Sequence, residues 1–88
     1  MVMRNEIFVE FTESAFKHGI RKEQITFVLS RYLFDDMFSI FPEKHLLIGF
    51  DKNGILLEIL YRMEENDTKM IVFHAMKCRK SYISLLKS

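Results

Sequence analysis

An 88-residue chain that is 49% hydrophobic can bury one core but not two, so a single domain spanning residues 1–88 is expected. Its 13 Lys plus Arg against 12 Asp plus Glu leave a net charge of +1, which excludes a protein that attracts nucleic acid through a global field. A lone cysteine, Cys78, excludes an internal disulfide, and no apolar run approaches the roughly 20 residues that span a bilayer, so a reducing cytoplasm is the expected location, with no membrane partner.

Ile7, Val9 and Phe11 alternate as in a short strand at or near a sheet edge. Thr12 is a candidate N-cap for a short helix over Glu13–His18, and Gly19 stands where a left-handed residue would stop it. Ile25, Val28, Leu29 and Tyr32 recur at helical spacing and predict an amphipathic helix from Lys22 to Leu33. Phe34 to Phe41 reads as an irregular strand or loop closed by Pro42. His45 to Phe50 and Ile55 to Tyr61 are apolar runs flanking Asp51-Lys52-Asn53-Gly54, whose Asn-Gly pair predicts an antiparallel hairpin. Met70 to Met76 adds a third strand to this meander, and Lys80 to Leu86 predicts a closing helix. Both parities of Ile55 to Tyr61 are largely apolar, so that strand should be covered on two sides, with helices on one and a partner subunit or cognate protein on the other.

Chemistry is concentrated at the end of the last strand, in Ile71-Val72-Phe73-His74-Ala75-Met76-Lys77-Cys78-Arg79-Lys80-Ser81-Tyr82. The region from Lys69 to Lys87 carries cations and no carboxylate. RNA cleavage without a metal requires proton exchange at the 2′-hydroxyl and the leaving 5′-oxygen, and fixed positive charge around phosphorus. His74 suits the first task, Arg79 and Lys80 the second, and Tyr82 can donate to phosphate or stack on a base.

Each residue also has a plainer reading. A histidine in an apolar strand can be a satisfied core group, and Tyr82 lies on the apolar stripe of its helix. Arg79 and Lys80 sit at a helix start, where the dipole does not favour cations, which tilts them toward a binding role. Glu58, set among leucines, is either a base or a partner for Arg62, with the pairing favoured. His18 is either an RNA contact or a helix-terminal cation, and His45 reads as a surface residue. The three histidines and distant Cys78 lack zinc-ligand spacing, so no metal or other cofactor is expected. Cys78 reads as a buried or incidental thiol.

The order of Lys17-His18-Gly19, the amphipathic helix, Leu47-Ile48-Gly49, Leu56-Leu57-Glu58 and Val72-Phe73-His74-Ala75 with Arg79 and Tyr82 resembles the BrnT-like toxins, RelE-related ribonucleases of bacterial toxin–antitoxin pairs. The resemblance implies an α+β fold in which a twisted antiparallel sheet of three to four strands carries two N-terminal helices and a C-terminal helix. It further implies metal-independent mRNA cleavage and neutralisation by a cognate antitoxin, often of the ribbon-helix-helix type. On that reading His74, Arg79 and Tyr82 are catalytic, while Lys80, Lys77, Lys17 and His18 bind RNA; self-association stays open. Met76 departs from the family, standing where it commonly carries arginine, and His74 stands where it tends to carry serine. The alternative is a non-catalytic interaction module of the same fold.

Overall fold

The computed structural model describes residues 2–3 and 7–87 as an α+β fold built on one mixed sheet. Its strands are β1 (Val2–Met3), β2 (Ile7–Phe11), β3 (Phe34–Ser39), β4 (Lys44–Phe50), β5 (Leu56–Glu64) and β6 (Lys69–Lys77), in the order β1-β2-β6-β5-β4-β3. The expected sheet of three to four antiparallel strands is therefore corrected. Six strands pair, and β2 runs parallel to β6, with Phe8 opposite Lys69 and Phe11 opposite Val72. Local periodicity predicts a strand at β2, but its direction is set by the long excursion that brings the chain back beside it.

The hairpin forms as expected. Gly54 takes φ +81°, and the buried Asp51 side chain accepts hydrogen bonds from Asn53 N (2.9 Å) and Ile55 N (2.8 Å), tying the turn to the core. The amide of Gln24 donates to the other Asp51 oxygen at 3.0 Å, while its carbonyl caps Arg21 N at 2.8 Å, so this side chain joins the helix start to the hairpin. Those bonds hold the Asp51 carboxyl below the usual carboxylate range, with the Gln24 amide the largest influence.

Helix α1 (Lys22–Ser30) buries Ile25, Val28 and Leu29, but stops before the expected Leu33. Ser30 Oγ bonds back to Phe27 O, Arg31 N closes on Val28 O, and Leu33 N already donates to Ile48 O at 2.8 Å. Tyr32 consequently lies 51% exposed, off the buried stripe. The expected helix over Glu13–His18 is instead one 3-10 turn, Glu13–Phe16. Ser14 Oγ donates to Phe73 O at 2.6 Å and Ala15 is fully buried, so tertiary anchoring holds a segment too short for a stable helix. The tail forms a single turn, α2 (Lys80–Ile83), followed by a 3-10 turn at Ser84–Lys87.

Alternation along the strands divides the core. Leu47, Leu57, Ile59 and Ala75 share a buried cluster with Ile25, Val28 and Leu29 of α1. Leu46, Ile48 and Glu58 point to the opposite face and are also buried. Leu85 of the tail lines one cavity with Leu46 on that face, Tyr82 meets Phe38, and Arg79 reaches Glu58. The second face is thus covered in part by the chain's own C-terminal segment.

Helix α1 and the residues that follow it come close to the sheet over Gly49. A Cβ on that residue would lie 2.9 Å from Val28 Cγ1 and 3.1 Å from Tyr32 Cα. Gly49→Ala should force α1 outward and lower stability by roughly 1–3 kcal/mol, read as a reduced urea midpoint with an unchanged slope.

Candidate functional site

The site grows from one carboxylate. Glu58 is fully buried in β5, where strand alternation turns it away from α1. A charge there requires partners, and the end of β6 supplies them. Arg79 closes a side-on fork on Glu58, with Nε donating to Oε1 at 3.0 Å and Nη2 to Oε2 at 2.8 Å. The backbone N of Arg79 also donates to Oε1 at 2.9 Å, and His74 Nε2 lies 2.9 Å from Oε2.

Burial by itself would push the Glu58 carboxyl up. The guanidinium and backbone N–H of Arg79, aided by His74, outweigh burial and hold it below its ordinary value. The same carboxylate raises Arg79 and helps burial raise the Cys78 thiol, so Cys78 is not an activated nucleophile. An ionised Glu58 only accepts hydrogen bonds, which requires His74 Nε2 to carry hydrogen and leaves Nδ1 as the basic nitrogen of the neutral ring.

A bulge in β6 helps place the imidazole. Leu60 pairs with His74 while Tyr61 pairs with Val72, so Phe73 is the additional residue. His74 thereby shares the Glu58 face while Val72 keeps to the core. The 3-10 turn after β2 then delivers His18 against it, with ring centroids 5.4 Å apart at 74°. The His74 side chain is 18% exposed, whereas His18 is exposed at the surface.

The sequence-predicted residues divide accordingly. His74, Arg79 and His18 come together, and Tyr82 joins them with its ring centroid 4.8 Å from Arg79 Cζ. Its other side meets Phe38 edge-on at 5.5 Å. Lys17 and Lys80 are exposed neighbours of His18 and Arg79. Lys77 does not join the cluster: it shares the parity of buried Ala75, which sends it to the opposite face from His74.

Two expectations are corrected here. Glu58 pairs with Arg79 and His74 rather than with Arg62, because residues four apart in a strand lie about 13 Å apart. Arg62 instead bonds Glu64 at 2.9 Å. His45 is not a surface residue. Its ring stacks on Tyr61 at 4.8 Å, its Nε2 lies 2.8 Å from Glu43 Oε2, and its side chain is 17% exposed. Burial and the nearby Asp35, which accepts the Tyr61 hydroxyl at 2.7 Å, raise the phenol's pKa.

Sequence reasoning undervalued Glu58. Its signal is a charge inside an apolar strand that is covered on both sides, which demands a cation without specifying which one. Among the described residues, no group of three His, Cys, Asp or Glu side chains is gathered to hold a metal ion. Nor, among those residues, is any helix long and apolar enough to cross a membrane. No family model, curated protein or solved structure matches the chain.

Proposed function

We propose that this chain is the toxin of a bacterial toxin–antitoxin pair, a metal-independent mRNA endoribonuclease neutralised by a cognate antitoxin of the ribbon-helix-helix type. The observation that carries the reading is the convergence of His74 and Arg79 on buried Glu58, with His18 packed against His74. Neutral His74 takes the proton of a ribose 2′-hydroxyl through Nδ1, and the 2′-oxygen attacks phosphorus. The bond from phosphorus to the 5′-oxygen breaks, and protonated His18 gives that oxygen a proton, leaving a 2′,3′-cyclic phosphate and a 5′-hydroxyl. Arg79 commits Nε and Nη2 to Glu58, so its Nη1 edge faces the phosphate.

Incubating the purified protein with RNA in excess EDTA should yield fragments ending in cyclic phosphate, and its induction should arrest growth unless a cognate antitoxin is co-expressed. A folded protein that leaves RNA intact and growth unaffected would overturn the reading. The second reading, a non-catalytic interaction module, is favoured by one observation: the Arg79–Glu58 fork also fastens the tail to the sheet.

A further inference from the structure

The edge of the sheet at β3 is built unlike its interior. Among the described residues β3 pairs only with β4, which leaves its other side as an open sheet edge. Met37 and Phe38 are about half exposed, and the following Ile40 and Phe41 are 66% and 93% exposed. Beside the strand lies an open cavity of about 230 Å³, lined by Phe34, Asp36, Met37, Phe38, Leu46 and Leu85. Apolar surface gathered along a free edge, next to a recess sized for a side chain, suits an added strand whose alternate residues enter it.

Charge selects the occupant. Asp35 and Asp36 are exposed on β3, which carries no cation between Phe34 and Ser39. Asp36 Oδ1 accepts its neighbour's Met37 N at 2.8 Å, and Asp35 is held by Tyr61. A second copy paired antiparallel about Asp36 or Met37 would bring the two Asp36 carboxylates opposite or diagonal on one face, which is repulsive. We propose that β3 is a docking edge for an extended segment of another protein in which apolar residues alternate with lysine or arginine. The edge adjoins the candidate site through Phe38, Tyr82 and Arg79, so an occupant lies against the flank of that site. The proposal does not require RNA cleavage.

The probe is a labelled synthetic peptide alternating lysine with leucine and phenylalanine, compared with its glutamate counterpart. The lysine peptide should bind at least about tenfold more tightly and slow amide exchange at Phe34–Ser39. Asp36→Lys should reverse that preference, and Phe41→Ser, at a fully accessible position, should weaken binding several-fold without altering the circular dichroism spectrum. Equal binding of the two peptides, protection away from β3, or a concentration-dependent dimer that shields β3 would overturn the proposal.

Discussion

Arg79→Ala should lower the unfolding free energy by roughly 3 kcal/mol, because it strips a buried carboxylate of its main counter-charge while leaving the charge in place. The figure sits at the low end for broken buried pairs because His74 and the residue-79 backbone N–H remain on Glu58. In a domain of this size that corresponds to a melting temperature lower by about 12–24 °C. The companion measurement is the double variant Glu58→Leu/Arg79→Ala, which should recover most of the loss by removing the stranded charge. If the double variant melts with the single one, the penalty arises from releasing the tail rather than from the charge.

The same carboxylate gives the wild-type protein an acid limb. The folded-state pKa of Glu58 is depressed, so its contribution is complete above the unfolded value of about 4.3 and is lost as the pH falls through the folded value. Arg79, raised by the same contact, stays charged throughout. Stability should therefore hold from pH 5 to 8 and fall below about pH 4. Asp51 and Glu43 add to that fall, since Gln24 and His45 respectively lead the influences that depress them. Glu58→Gln should make the limb shallower.

The largest functional effect should come from His74→Gln. Glutamine can still donate to Glu58 but cannot exchange a proton, so RNA cleavage should fall by about 10²–10⁴-fold while melting changes little. His18→Gln should produce a loss of similar kind. Cleavage unchanged in both folded variants would sink the histidine assignment. Arg79→Ala is a poor probe of catalysis, because a protein that unfolds also loses activity.

Local signals made the hairpin readable: Asn53-Gly54 marked the turn, and apolar runs marked its strands and β6. The buried stripe of α1 was equally legible through Ile25, Val28 and Leu29. What escaped were features decided by distant residues. The 3-10 turn depends on Phe73, the end of α1 on Ile48, and the direction of β2 on its pairing with β6. The candidate site was half legible: His74 and Arg79 stood out by chemistry and proximity, whereas Glu58 and the approach of His18 required the fold.

The parallel pairing of β2 with β6 also bears on biosynthesis. Thr12, at the end of β2, bonds Val72, sixty residues later in the chain. On the ribosome the β4–β5 hairpin can close early, yet Glu58 then lacks Arg79, and β2, paired with β1, lacks its parallel partner until β6 and Arg79 have emerged. The two imidazoles meet only at that stage, so a nascent chain carries no assembled centre until residues 74–79 are free to fold.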